Sequence, residues 1–552
     1  MIPTKELASR LCLALVAAAF GGFSAIPALA KEDRPNILLV MVDDMGWTDI
    51  GSYGGEIETP NLDALAKEAV LFTDFHASIS CSPTRSMLLT GTDNHLAGMG
   101  NMGELLAPNQ IGKPGYEGHL NDRVVTLAEV LRDNGYHTYM AGKWHLGHEE
   151  EHYPFNRGFE QTFSMLYGGA SHYSDMNGIM EVESPAYYTL NGKRIHELPK
   201  EFYSSRSYTD FLIDSIRSNR ADGAPFFGYL ALTAPHDPLH VPEPWKSKYR
   251  SVYDAGYEEL RAKRAANAQK LGLVARDAPI PSRQPSVMPW EELTPSQREV
   301  EARGMEVYAG MIDNLDYHVG RVFGFLKDIG ELDNTIVVFL SDNGSNPWYS
   351  EEYPGNADGE WFKQFDNSAE AIGDARSAYA YGMGFAAASS GPLDRFKMTV
   401  SEGGIRVPLM ISGPGVTGGR MSNAFTYVTD LMPTLLDFAE IDHPPTFNGN
   451  PVEAMRGRTL TPLLQGQAQE VYGEDDFVGG ELLNGKWMRQ GAYKAAAVAP
   501  PYGDGTWRLF DLANDPGETK DLSQEMPYML EKLTQAWDDY AKDVGVVLMP
   551  EG

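Results

Sequence analysis

The 552-residue chain has only two cysteines, Cys12 and Cys81, which excludes a fold framed by disulfides. It has no basic excess either. Its 45 lysines and arginines face 76 acidic residues, for a net charge of −31, and that sign opposes non-specific binding to nucleic acid and to anionic membrane surfaces. Past the N-terminal segment no apolar run approaches the ~20 residues a bilayer-spanning helix needs. Short repeats, low-complexity tracts and sustained heptads are missing, which removes solenoids, disordered tails and coiled coils.

What is present is a globular composition, 42% hydrophobic and 11% aromatic with 56 glycines and 35 prolines. At roughly 100–200 residues per domain this length holds a large core and one or more smaller lobes. In so acidic a protein an anionic substrate must be captured by a few Lys, Arg and His side chains gathered at one point.

The N-terminus has the layout of a signal peptide: Lys5 and Arg10, an apolar stretch at 11–23, and the small-x-small site Ala28-Leu29-Ala30. Residues 1–30 are expected to be removed, the mature chain starting near Lys31, and the product to be exported, periplasmic or secreted, with no stable membrane association. No arginine pair precedes the apolar stretch, which favours general secretion. Cys12 lies ahead of that stretch, so it is not a lipoprotein anchor. One thiol, Cys81, then remains, no disulfide can form within the chain, and a lone thiol in an exported protein asks for a reason.

Apolar runs alternate with helical patterns along the chain, which is α/β grammar. Residues 37–42 form a continuous apolar run ending at Asp43-Asp44, as a strand buried on both faces would. Thr59-Pro60 caps a helix carrying Leu62, Leu65, Ala66 and Ala69 on one side. A helix over 126–134 stops at Gly135 and leads into a strand at 136–140 that ends in Gly142-Lys143-Trp144-His145. Residues 225–232 form a strand delivering Thr233-Ala234-Pro235-His236. A helix around Met305 to Leu326 precedes a strand at 335–340 that ends in Ser341-Asp342-Asn343-Gly344. Four strands thus end in residues capable of chemistry, and ligands of open α/β sheets bind beyond such ends. Residues 245–303 read as a helical insertion on the surface, and 345–395, rich in Gly, Ala, Ser and Tyr, as a long loop over the site. From 442 onward the pattern is that of a smaller β-rich lobe closed by a helix at 526–542.

The most specific segment is Cys81-Ser82-Pro83-Thr84-Arg85, followed by Leu89-Thr90-Gly91. It resembles the Cys-x-Pro-x-Arg signature of the sulfatase family. The mature chain resembles bacterial arylsulfatases nearly end to end, through Arg34-Pro35-Asn36, Gly142-Lys143-Trp144-His145, Ala234-Pro235-His236, Ser341-Asp342-Asn343-Gly344 and Gly403-Gly404-Ile405-Arg406-Val407-Pro408. A phosphatase-type thiol loop separates Cys from Arg by five residues, whereas three intervene here. The fold implied is an alkaline-phosphatase-like α/β sandwich: a large, mostly parallel mixed sheet flanked by helices, forming a catalytic domain over 31–441, with a smaller α+β lobe over 442–552.

The resemblance implies that Cys81 is converted to formylglycine (3-oxoalanine) by a separate generating enzyme. A hydrated aldehyde carries two hydroxyls, one able to attack the sulfur of a sulfate ester and the other able, once deprotonated, to expel the bound sulfate. A helix from Pro83 onward would aim its N-terminus at this group, favouring an anion there, with Arg85 in its first turn. Asp43, Asp44, Asp342 and Asn343 are hard oxygen ligands, suited to Ca2+ and less to Zn2+; the resemblance implies one Ca2+, with Mg2+ left open by the sequence. A ligand set of this kind also rules out glycosylation at the sequon Asn343-Gly344-Ser345. Lys143 and His145, two apart, point to the same side of an extended segment; by resemblance Lys143 binds formylglycine and sulfate and His145 is the base. His236 and Lys397 would contact the sulfate and the bridging oxygen, His236 protonating the leaving group. His76, His95, His137, His172 and His240 carry no motif and read as ordinary histidines. The expected activity is hydrolysis of a small-molecule or carbohydrate sulfate ester. Two alternatives stand beside it: a phosphate or phosphonate monoesterase on the same scaffold, and a non-catalytic binder of sulfated glycans.

Overall fold

The structure is a computed structural model that describes residues 34–354, 356 and 360–550; the expected signal peptide at 1–30 and the start near Lys31 lie outside them. Asn36–Val42 (β1) is buried along its whole length. Its residues part into two cores, Leu38, Val40 and Val42 entering one and Ile37, Leu39 and Met41 the other, the alternation an extended chain imposes. Val70–Phe72 (β2), His137–Lys143 (β3), Gln161–Met165 (β4), Tyr188–Leu190 (β5), Lys193–Ile195 (β6), Phe226–Ala231 (β7), Thr335–Ser341 (β8), Leu409–Ser412 (β9) and Arg420–Ser422 (β10) complete its sheet. The ten strands stand in the order β10-β2-β9-β8-β1-β7-β3-β4-β5-β6. The five from β8 to β4 run parallel, and β9 and β5 pair antiparallel at either side of them.

Register brings the four chemical strand ends to one level. Met41 pairs with Ala231 and with Leu340, and Ala231 pairs with Gly142. β8, β1, β7 and β3 are neighbours, so Asp342, Asp43-Asp44, His236 and Lys143 come off adjacent strands, as the sequence predicts. The approach of β3 to β7 requires glycine at 142: its φ is 122°, and a Cβ there would lie 1.8 Å from the Ala231 carbonyl oxygen.

Helices cover both faces. Pro60–Glu68 (α1), Cys81–Thr90 (α2), Leu127–Asp133 (α3), Ser204–Asn219 (α4), Tyr257–Leu271 (α5), Pro295–Asp328 (α6) and Gly382–Ser390 (α7) are the principal ones. Leu62, Leu212 and Leu315 of α1, α4 and α6 join the core of Leu38; Leu88 and Leu131 of α2 and α3 join that of Ile37. Reciprocal hydrogen bonds between Thr126 and Glu129 start α3, and the same arrangement of Thr294 and Gln297 starts α6. Thr59 does not cap α1 as the sequence suggests: its hydroxyl accepts from the Gly51 N–H, and the preset φ of Pro60 begins the helix.

Two expectations are corrected. The segment 245–303 is more than a surface insertion, because Arg264 of α5 is fully buried and pairs with Asp49 and Glu56, which ties the chain leaving β1 to this helix. The segment 345–395 is not one long loop. Its small residues let α7 pack tightly, Gly384 against Tyr257 of α5, while Trp348, Tyr353 and Pro354 form part of a cavity wall.

Toward the C-terminus Phe477–Leu482 (β11), Gly485–Gln490 (β12), Tyr493–Ala497 (β13) and Arg508–Asp511 (β14) form an antiparallel meander. Pro527–Val544 (α8) lays Leu533 and Trp537 on Met488, Ala495 and Leu509. The other face of the meander, with Leu482 and Trp487, joins the core of Ile37. Buried charges cross the junction: Arg489 binds Asp74 at 2.7 Å and Lys494 binds Glu402 at 2.7 Å, with Glu518 of the same lobe 3.0 Å from the Lys494 ammonium. Removing one partner strands the others in a low dielectric, so Lys494→Met is expected to lower the unfolding free energy by about 3–5 kcal/mol, read from the denaturant midpoint at unchanged slope.

Candidate active site

α2 begins at Cys81 itself, two residues earlier than the sequence suggests. Pro83 sits in the first turn, where helical N–H groups have no intrahelical acceptor, so its missing donor costs nothing. Thr84 Oγ1 accepts from Ser78 N–H, and the Ser86 and Thr90 hydroxyls donate to the carbonyls of Pro83 and Ser86. These bonds permit a polar sequence to form a helix buried at every residue. Gly91, left-handed at φ 65°, ends it.

The helix start faces three buried carboxylates and three buried cations. Arg85 donates from Nε and Nη2 to Asp342 Oδ2 at 3.2 and 2.7 Å and from Nη1 to the Lys143 carbonyl at 3.0 Å. Lys143 Nζ reaches Asp43 Oδ2 at 2.7 Å. Lys397 Nζ reaches Asp44 Oδ1 and Oδ2 at 2.7 and 2.9 Å and lies 3.3 Å from Cys81 Sγ. Burial works against ionisation of Asp43, yet Lys143, His236 and Arg85 outweigh it and hold the carboxyl down at about 2. Burial and the Asp342 carboxylate push the Cys81 thiol well up, so the unmodified side chain is a poor nucleophile. Asp44 holds φ 66° and Met398 φ 68°; such a φ is uncommon for aspartate and more so for methionine, and marks backbone strained to aim its neighbours.

The donor set suits a hard cation. Asp43, Asp44 and Asp342 are at most 1% exposed, and Asn343 Oδ1 is buried without a hydrogen-bond partner among the described residues. Atoms of Asp43, Asp44, Cys81 and His236 lie within 4.8 Å of one another, and the other two predicted oxygen ligands adjoin that group through Asp44, whose N–H donates to Asp342 Oδ1 at 3.2 Å and whose Oδ1 accepts from Asn343 Nδ2 at 2.7 Å. A second group, Asp74, His76 and Glu402, is as tight, but Arg489, Lys494 and Arg406 already neutralise it.

His236 Nδ1 lies 2.7 Å from the Asp237 carbonyl, which only accepts, so Nδ1 carries a proton and Nε2, 3.4 Å from Asp44, faces the site. The segment through His145 is not extended: a φ of 56° turns the ring away from the alignment with Lys143 that alternation predicts. His145 Nε2 instead meets Glu104 Oε1 at 3.0 Å, and Nδ1 is buried with no partner among the described residues. Burial lowers the basicity of this imidazole against the pull of Glu104.

His145, His236, Cys81 and Lys397 line one cavity, whose wall is otherwise mostly apolar: Met102, Leu105, Ile179, Met180, Trp348 and Tyr353. A Cβ on Gly168 would meet His145 at 3.2 Å and one on Gly169 would meet His236 at 3.1 Å, so the Gly-Gly pair makes room for both rings. Sequence reasoning missed Glu104, Glu183, Gly168, Gly169 and Tyr353 of this site; only the glycine pair after β4 gave a local signal. His172, read as ordinary, supports the site from behind, its Nε2 donating to the His236 carbonyl at 2.9 Å.

The family model described as Sulfatase matches residues 35–441. The chain is 42% identical over 535 residues to an uncharacterized sulfatase of Schizosaccharomyces pombe, covering 95% of this chain and 96% of that one. It is 41% identical over 440 residues to an arylsulfatase of Klebsiella aerogenes, covering 79% and 93% respectively. Among solved structures, that of Ps i-CgsB superposes with a TM-score of 0.64 at 23% identity, covering 94% of this chain and 95% of the other.

The oxygen cluster is testable apart from turnover. Calcium at about 100-fold over its dissociation constant is expected to stabilise cation-stripped protein by about 2.7 kcal/mol, read as a rise in thermal midpoint. Asn343→Ala is expected to weaken that rise, and Asp342→Asn to abolish it.

Proposed function

The chain belongs to the sulfatase family, an enzyme that hydrolyses sulfate esters, and from that premise we propose an arylsulfatase-type reaction that uses formylglycine at position 81 and one Ca2+. The observation that carries this reading is the meeting of Cys81, at the first turn of a buried helix, with three fixed cations and three fixed carboxylates. The charges of Arg85, Lys143 and Lys397 balance those of Asp43, Asp44 and Asp342, so a divalent cation held by Asp43, Asp44, Asp342 and Asn343 would leave the site positive for an anionic ester. When in place, the hydrated aldehyde supplies the nucleophilic hydroxyl and the cation supplies Lewis acidity toward sulfate oxygens.

The chain's own residues do the remaining work. Arg85 is pinned at three points and Lys143 at Asp43, so neither needs to reorganise as charge shifts onto sulfate oxygens. Lys397, 3.3 Å from Sγ, holds whatever group replaces the thiol. His236, with Nδ1 committed to the Asp237 carbonyl, has Nε2 to deliver a proton to the departing oxygen. His145, its Nε2 proton held by Glu104, keeps Nδ1 as an acceptor for a proton removed during sulfate release. The apolar wall excludes water beside the leaving group.

Export and maturation are part of the same proposal. The layout of Lys5, Arg10, residues 11–23 and Ala28-Leu29-Ala30 supports cleavage near Lys31 and a periplasmic or secreted product, with a formylglycine-generating enzyme acting on Cys81 before or during passage.

The decisive measurement is the mass of the Cys81 peptide from matured protein, where loss of the thiol sulfur and gain of a carbonyl are expected. Matured enzyme with calcium is expected to release sulfate from simple aryl sulfates, and Cys81→Ala to release none. Arg85→Lys and His236→Ala are expected to lose on the order of 100-fold or more in kcat, with circular dichroism unchanged. A retained thiol in native protein, or preference for a phosphate ester over its matching sulfate, would overturn the reading.

A further inference from the structure

The cavity over Cys81 holds a carboxyl group that the reaction described above leaves idle. Glu183 closes the short turn Glu181–Glu183, is 6% exposed, and lines the cavity beside Ile179 and Met180. Its Oε2 is buried and meets no hydrogen-bond partner among the described residues. The wall that carries it is held firmly: Ser171 N–H donates to the Asn177 carbonyl at 2.7 Å, Ala186 N–H to the Met176 carbonyl at 2.7 Å, and Asn356 Nδ2 to the Ile179 carbonyl at 2.9 Å. A carboxyl oxygen kept dry and unpaired in a rigid wall is unfavourable unless a ligand completes it. Burial, helped by Glu104, pushes this carboxyl up to about 8 against the pull of Lys143.

The wall has nothing to receive a second anion. Among the described lining residues the one lysine or arginine is Lys397, whose Nζ is shared between Asp44 and Cys81. Glu104, the other acidic residue of the wall, is bound to His145. Around these polar groups the lining is mostly apolar, as in sites that take a small organic group.

Resting on the sulfate-ester reading above, we propose that Glu183 accepts a hydrogen bond from the alcohol part of the substrate. The preferred esters are then compact aryl or alkyl sulfates whose leaving group carries a hydroxyl or an ammonium, and esters carrying a carboxylate or a further sulfate there are rejected. Glu183 is a specificity residue: it touches the leaving group and takes no part in bond making or breaking.

The test uses ring-matched phenyl sulfates bearing methyl, carboxylate or aminomethyl at the meta and at the para position, with matured wild-type enzyme and E183Q. For wild type assayed just above pH 8, where a carboxyl pushed up to about 8 is mostly ionised, kcat/KM is expected to follow aminomethyl, methyl, carboxylate in falling order, the extremes differing by about tenfold or more, a gap of the size one desolvated charge interaction supplies. E183Q is expected to shrink the aminomethyl-to-carboxylate ratio severalfold, a change that loss of structure alone would not produce because it would lower all rates together. A carboxylate ester taken as well as the aminomethyl ester at both positions, or a ratio untouched by E183Q, would overturn the proposal. Absence of turnover on all three would instead sink the sulfate-ester reading. Calorimetric binding of the same esters to the Cys81→Ala protein then decides the subsite by the same order.

Discussion

Three carboxylates and three cations share a water-poor space at the carboxyl ends of parallel strands, and the structure around them follows from the need to keep every one of these charges paired. An isolated ion in such a place would neutralise or unfold its surroundings. Asp43 with Lys143, Asp44 with Lys397 and Asp342 with Arg85 meet the requirement at 2.7 Å each. The pairs link β1, β3, β8, α2 and the loop of Lys397, so the elements that pair the charges are the elements that build the site. Rigid, already oriented polar groups are also what a reaction that shifts negative charge needs.

The surrounding fold supplies the precision this demands. Strands β8, β1, β7 and β3 end level because their registers match, and Gly142 permits the approach of β3 to β7. Asp44, His145 and Met398 accept left-handed backbone, a local cost that the packed core sustains and that aims side chains where regular structure would not. α5, through Arg264, and the buried salt bridges of Arg489 and Lys494 repeat the same device farther out, fastening the loop after β1 and the C-terminal meander to the main sheet.

Beside this charged floor the cavity wall has the opposite character. Methionine, isoleucine, leucine, tryptophan and tyrosine side chains with two glutamates surround the leaving-group space. The floor recognises an anion common to every sulfate ester, while the wall sorts what is attached to it. In the function proposed above, selectivity resides in the loops at 102–105, 168–183 and 345–354 that supply this wall.

The sequence alone determined whatever depends on neighbours in the chain. The apolar runs marked β1, β7 and β8, Thr126 and Gly135 marked the two ends of a helix, and the spacing from Cys81 to Arg85 marked the reactive segment. Tertiary structure decided whatever depends on residues far apart. Lys397 lies 316 residues from Cys81 in a stretch without local signature, and only packing shows that its ammonium lands on Asp44. Glu183 looks like a surface acid until the wall buries it, Glu104 looks like one until it pairs with His145, and His145 looks aligned with Lys143 until its φ turns it to Glu104. The Gly- and Ala-rich run holding α7 has too weak a local preference to announce a helix, since its small side chains acquire their purpose only against Tyr257. Local sequence encodes backbone preference and motif spacing, whereas burial, pairing and charge balance exist only once the chain has closed on itself.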